Sequence, residues 1–292
     1  MPTFFSRRSV LKTTLAGTLA APLSLAEVMA ATHEALGPEL KGKINHSVAR
    51  WCYGKIPLDD LCRQAKEMGI GSVELQGPEE WPTIKKYGLT CALPWGAGSG
   101  IEKGFNDPAR HDELVASFEG IFPKVAAAGY DKIICFSGNR AGKSDEEGLA
   151  NCVKGLKRLM ASAEKHKVTM VMELLNSKVN HKDYQCDHTA WGVELCKQVG
   201  SERMKLLYDI YHMQIMEGDV IATIKKHHPY FAHYHTGGVP GRGEIDDTQE
   251  LNYPAIMRAI VETGYTGYVG QEFVPKRDPM ASLKQAVQIC DV

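Results

Sequence analysis

Excess charge of either sign is absent from this chain. Lys plus Arg number 34 and Asp plus Glu number 35 among 292 residues, a formal net charge of −1. Proteins that grip nucleic acid or an anionic membrane need a basic surplus, and this balance offers none. A tight C-x-x-C pair is also missing among the eight cysteines, Cys52, Cys62, Cys91, Cys135, Cys152, Cys186, Cys196 and Cys290. Cys91 and Cys135 sit inside apolar runs, where a thiol behaves as a small hydrophobe. Most of the eight are expected to be free, with a Cys186–Cys196 pair left open. No G-x-G-x-x-G turn follows the first strand-like run, which removes the main support for an open, doubly wound sheet. No repeat, low-complexity tract or linker marks off a second globular domain. The 43% hydrophobic content suffices for one large core.

The first thirty residues differ from the rest. Arg7, Arg8 and Lys12 precede a mildly apolar stretch from Thr13 to Leu25, and Val28-Met29-Ala30 offers small groups before a peptidase cut. This is the form of a targeting segment, too short to span a bilayer comfortably. The stretch SRRSVLK resembles a twin-arginine signal. That resemblance implies residues 1–30 as signal peptide, 31–292 as the mature domain, the twin-arginine export machinery as a partner, and a periplasmic or otherwise exported location. Removing Arg7, Arg8, Lys12 and Glu27 takes the net charge from −1 to −3.

Beyond residue 31 the chain alternates between short apolar runs and longer amphipathic ones. Eight runs read as strands: 45–51, 72–77, 89–95, 132–138, 168–176, 204–212, 231–237 and 267–273. Helical spacing of apolar residues marks 58–68, 111–128, 148–166, 190–199, 219–227, 253–263 and 280–289, with a weaker helix over 79–87. Eight strand–helix units in this length predict a single (β/α)₈ barrel.

In such a barrel, chemistry sits at the C-terminal ends of the strands. The fifth run carries Glu173, the sixth Asp209 and His212, the seventh His233 and His235, the eighth Glu272. The steps from Glu173 to Asp209, Asp209 to His235 and His235 to Glu272 are 36, 26 and 37 residues, each about one strand–helix–strand unit. Adjacent staves would therefore bring these side chains to one mouth. Three carboxylates gathered there without a basic partner would repel one another and lose hydration. A divalent cation removes that conflict. Glu173, Asp209, His235 and Glu272 make a mixed oxygen and nitrogen shell, suited to Mn²⁺ first, or to Mg²⁺ or Co²⁺. His235 is read as the ligand rather than His233 because it lies nearer the rim on the same strand face.

Taken together, MELLN around Glu173, YDIYHMQ with Asp209 and His212, the HYH of the seventh run, GVPGRGE (238–244) and GQEF with Glu272 resemble the hydroxypyruvate isomerase family, within the xylose-isomerase-like barrels. The resemblance spans about residues 45–290. It implies that Glu173, Asp209, His235 and Glu272 hold the metal and that Glu173 and Glu272 transfer the proton. It also implies substrate binding by His212 and Arg242. Glu74, in SVELQG, is read with the substrate-binding group, supporting the site through hydrogen bonds. Trp95 and Phe105 are candidate pocket walls. Hydroxypyruvate isomerases tend to place Gln where this chain has His235, whereas ketose 3-epimerases place His. The epimerases carry a further glutamate near the position of Val179, and this chain, like the hydroxypyruvate isomerases, lacks it.

The activity implied is interconversion of an α-hydroxy aldehyde and an α-hydroxy ketone through an enediolate, hydroxypyruvate to tartronate semialdehyde, without an organic cofactor. A ketose 3-epimerase is the alternative. The substrate is a small hydroxy acid or sugar, nucleic acid is not a partner, and a homo-oligomer is a family expectation. A non-catalytic sugar-binding barrel would be favoured by loss of either glutamate, and both are present. Replacing both Arg7 and Arg8 by Lys should retain the full-length protein in the cytoplasm. Fractionation with N-terminal sequencing checks this, and unimpaired export of the double variant would remove the twin-arginine reading.

Overall fold

The computed structural model of this chain describes residues 39–98 and 100–292. The targeting segment read at residues 1–30 and the mature start at residue 31 lie outside them. Leu40–Val292 forms one compact unit. Among the described residues, seven strands make a single sheet: β1 (Asn45–Ala49), β2 (Ser72–Glu74), β3 (Lys132–Cys135), β4 (Thr169–Glu173), β5 (Met204–Asp209), β6 (Phe231–Thr236) and β7 (Tyr268–Gln271). Their hydrogen-bonded order is β2-β1-β7-β6-β5-β4-β3, and every pair is parallel.

Parallel neighbours need long crossovers, and helices supply them. These are α1 (Leu58–Glu67), α2 (Trp81–Lys86), α3 (His111–Ala127), α4 (Asp145–His166), α5 (Thr189–Val199), α6 (Ile210–Met216), α7 (Val220–His227), α8 (Tyr253–Glu262) and α9 (Pro279–Cys290). Local chemistry sets their ends. At α4 the Ser144 hydroxyl accepts the Glu147 N–H at 3.1 Å, and Asp145, Glu146 and Glu147 place negative charge on the first turn. At α5 Gly200 takes the left-handed conformation that ends a helix cheaply. No helix among the described residues is long and apolar enough to cross a membrane.

The third of the eight runs does not form a regular strand. Residues 89–95 make one isolated bridge, Thr90 with Ser72. They nonetheless bond to both edges of the sheet. Val73 donates to the Thr90 carbonyl and Leu75 to the Leu93 carbonyl on one side, and Ile134 donates to the Pro94 carbonyl on the other. Two features break the ladder. Pro94 has no N–H to give. The Ala92 N–H turns instead to the Ser72 hydroxyl, at 2.9 Å. The run thus spans the gap between β2 and β3 irregularly.

A second difference falls at residues 204–212. The strand stops at Asp209 and α6 begins at Ile210, so His212 stands on a helix rather than at a strand end. The cause is Asp209 itself, whose Oδ1 accepts the His212 N–H at 2.9 Å and caps the helix. All eight cysteines are free, Cys186 and Cys196 included.

Strands buried on both faces explain the apolar runs. Each residue of β4 is buried, as are Val48, Leu206 and Val269 on their strands. Leu206 on β5 lies against the backbone of α5, where a methyl added to Gly192 would meet its Cδ atoms at 3.0 Å. Leu206→Ala should therefore lower unfolding free energy by about 2–5 kcal/mol, read from urea titration. A shift within the scatter of surface variants would show that this layer is not close-packed.

Candidate active site

The register of the strands brings the predicted residues level with one another. Asp209 on β5 is the direct partner of His235 on β6, and His235 is the partner of Gly270 on β7, two residues before Glu272. Glu173 closes β4 beside them. One ligand atom from each of Glu173, Asp209, His235 and Glu272 lies within 4.8 Å of every other, and all four residues are buried. Two oxygens on opposite sides of an ion at about 2.1 Å would stand roughly 4.2 Å apart, so the group is close to binding size as it stands.

His235 shows how the group is polarised. Its Nε2 meets Glu74 Oε1 at 2.7 Å. Its Nδ1 faces Glu272, Glu173 and Asp209 oxygens at 2.6, 3.6 and 3.9 Å. None of these directions makes a hydrogen bond, so Nδ1 is a buried nitrogen with no partner. Once the ring gives up its Nδ1 proton, the imidazole engaged at Nε2 presents a lone pair there, which is what a metal ligand requires. The donor set fits a hard or borderline divalent cation.

The electrostatics agree with a cation-seeking centre. Burial raises Glu173 to about 7, and the charges of Glu272 and Asp209 push the same way against the nearby His235. Asp209 is raised, chiefly by burial, although Arg242 opposes it. Glu272 is held well below the usual carboxylate range. Burial works against that, but His235, Arg242 and the Trp51 hydrogen bond outweigh it. His235 is raised well above its ordinary value despite burial, because Glu272, Glu173 and Glu74 surround it.

Glu74, grouped with substrate contacts from the sequence, is fully buried and does not line the cavity. It accepts from His235 at 2.7 Å, His233 at 3.0 Å and Ser47 at 2.6 Å. The two histidines, His233 first, hold its carboxyl down to about 2 in spite of burial. Gly270 leaves the room it needs, since a Cβ there would fall 2.2 Å from Glu74 Oε1. Glu74 therefore orients His235 from beneath.

Arg242 and His212 do line the cavity. The loop carrying Arg242 is tied to the segment after β7: Val274 donates to the Arg242 carbonyl at 2.7 Å, and Glu244 accepts the Lys276 N–H at 2.9 Å. Arg242 itself has φ +53°, a left-handed conformation uncommon for a residue other than glycine. Its Nη2 reaches Asp209 at 2.6 Å and also contacts Glu272, while Nε and Nη1 are buried without a partner. The guanidinium stacks over Tyr211 at 4.8 Å. His212 accepts the Asn176 backbone N–H at Nδ1, at 3.1 Å. Burial, then Arg242 and His181, keep it well below its ordinary pKa and so neutral. The neutral ring therefore carries its proton on Nε2.

The cavity holds about 650 Å³. Trp95 walls it together with Phe136. Phe105 does not reach it and packs on Phe118 at 5.6 Å instead. Sequence reasoning missed Trp51, whose Nε1 donates to Glu272 Oε1 at 2.5 Å, and the Asn176–His181 loop. Trp51 follows β1 directly, so the rule that finds the other mouth residues would have found it.

Residues 62–291 match the family model of the xylose isomerase-like TIM barrel, and the chain belongs to that family. It is 31% identical to hydroxypyruvate isomerase of Escherichia coli K12, over 66% of this chain and 74% of that protein. It is 30% identical to 2-oxo-tetronate isomerase of Cupriavidus necator, over 67% and 76%. A crystal structure of a family 2 AP endonuclease from Brucella melitensis superposes with TM-score 0.74 at 25% identity, over 82% of this chain and 97% of that one. The named curated relatives are isomerases, which supports an enzyme of this superfamily.

Glu74→Gln should weaken Mn²⁺ binding about 10- to 100-fold, measured by chelator competition, through loss of the charge behind His235. Equal affinity in the variant would show that Glu74 is a packing residue only.

Proposed function

We propose that the protein is a divalent-metal-dependent isomerase that interconverts an α-hydroxy ketone and an α-hydroxy aldehyde, with hydroxypyruvate to tartronate semialdehyde as the reaction. The observation that carries the reading is the partnerless Nδ1 of His235 facing three carboxylates. A cation held by Glu173, Asp209, His235 and Glu272, with Mn²⁺ the leading choice and Mg²⁺ or Co²⁺ next, would polarise the substrate's carbonyl and hydroxyl oxygens and stabilise negative charge there.

The chain's own groups do the rest. Glu173 at the end of β4 and Glu272 just past β7 approach the centre from different places, suiting one to remove the proton on the carbon beside the carbonyl and the other to return one. The hydrogen lost from one carbon is regained by its neighbour, so the change is redox-neutral and needs no organic cofactor. His212 offers an Nε2–H to a substrate oxygen. Arg242 has two buried nitrogens, Nε and Nη1, whose N–H groups lack an acceptor, and a substrate carboxylate would satisfy them. The reading includes export of the mature chain, supported by the Arg7–Arg8 pair, and self-association through the outer helices, supported by the family resemblance.

Ketose 3-epimerisation is the second reading, favoured by an imidazole rather than an amide at position 235. The near-zero net charge disfavours action on DNA. Incubation of the Mn²⁺-loaded protein in D₂O with hydroxypyruvate and a ketose panel separates these. Deuterium uptake with aldehyde–ketone exchange supports isomerisation, and uptake with inversion at C3 supports epimerisation. Glu173→Gln and Glu272→Gln should each lower kcat at least about 100-fold. Retention of kcat in either variant would overturn the two-glutamate assignment.

A further inference from the structure

The site is larger than the three-carbon acid needs. At water's share of about 30 Å³ per heavy atom, hydroxypyruvate fills about 200 Å³. The cavity at the carboxylate cluster holds about 650 Å³. A second hollow of about 300 Å³ adjoins it, and the two share Ile101, Asn180 and His181 as walls. His181, on the shared wall, lies 5.2 Å from the His212 ring of the first hollow.

The far hollow is polar where the first is largely aromatic and aliphatic. Lys182, Asn139 and Glu102 line it. Lys182 is exposed and has no ion-pair partner among the described residues. The three side chains offer a cation, an amide and a carboxylate in one small space. A phosphate would be opposed by Glu102, and an apolar tail would leave all three in water. A hydroxyl both donates and accepts, so a run of hydroxyls can use every one of them.

Resting on the isomerase reading above, we infer that this hollow is a subsite for the hydroxylated tail of a sugar acid longer than hydroxypyruvate. The carboxylate end and reacting carbons lie at Arg242 and the metal-ligand cluster. The tail passes His181 and ends against Lys182, Asn139 and Glu102. The substrate class is 2-oxo-3-hydroxy acids of five or six carbons, in which the same enediolate transfer moves the oxo group from C2 to C3 and gives a 2-hydroxy-3-oxo acid instead of an aldehyde.

The test measures binding and turnover separately on the Mn²⁺-loaded mature protein. Calorimetry compares gluconate with glycerate, neither of which has the carbonyl the reaction needs. Gluconate should bind about tenfold more tightly, the value of one or two hydrogen bonds with a charged partner. The gluconate-to-glycerate affinity ratio should fall at least fivefold in Lys182→Ala and again in Glu102→Ala. The kcat/KM values for 2-oxo acids of three to six carbons should rise with length in the wild type and flatten in both variants. Equal binding of the two acids, or a preference that survives both substitutions, overturns the subsite. Turnover of hydroxypyruvate without any length preference does the same while leaving the isomerase reading in place. A gluconate preference lost in the variants, without turnover of any acid, upholds the subsite and overturns the isomerase reading.

Discussion

The hydrogen bond from His235 Nε2 to Glu74 sets the rest of the site. It engages one ring nitrogen deep in the barrel and leaves the other bare at the level of three carboxylates. Removing the carboxylate would let the ring turn, and Nδ1 could then satisfy itself against Glu272. The arrangement costs a buried charge, and the chain offsets that cost with three donors, from Ser47, His233 and His235. It also costs a side chain at position 270, where only glycine leaves space. Four strands, β1, β2, β6 and β7, thus contribute to fixing one nitrogen atom.

Most of the centre was legible before any coordinate was known, because parallel strands make sequence spacing into spatial position. Carboxylates and histidines at the ends of successive runs have few places to go in a barrel, and Glu173, Asp209, His235 and Glu272 meet as their spacing implied. What spacing cannot give is depth along a stave. Glu74 sits at a strand end like the others, yet it points under His235 rather than at the cavity. Nor can periodicity see a side chain that interrupts a ladder. The run at 89–95 has the composition of a strand, but Pro94 and the Ser72 hydroxyl deny it regular bonds. Trp51 escaped notice for another reason: a half-exposed aromatic just past a strand looks like surface until its indole is found on a buried glutamate.

The two adjoining hollows differ in what lines them. The wall at the carboxylate cluster is where charge is concentrated and water is sparse, so small displacements of oxygen or nitrogen change energies strongly. The far hollow is the smaller and the more polar in its lining. Arg242 links the first hollow to the loop 238–244, which is anchored by Glu244 to the segment following β7. The cation's reach toward Asp209 and Glu272 is therefore governed by backbone bonds on its own loop as much as by the charges it meets.

Asp209 serves two structures with its two oxygens. Oδ1 closes the first turn of α6, and Oδ2 faces the centre. Since α6 carries His212 and Tyr211, any event that draws the carboxylate toward the centre also pulls on the start of that helix. A cation entering the centre would therefore bear on the short helix as well, like a load on a lever whose fulcrum is a single carboxyl group.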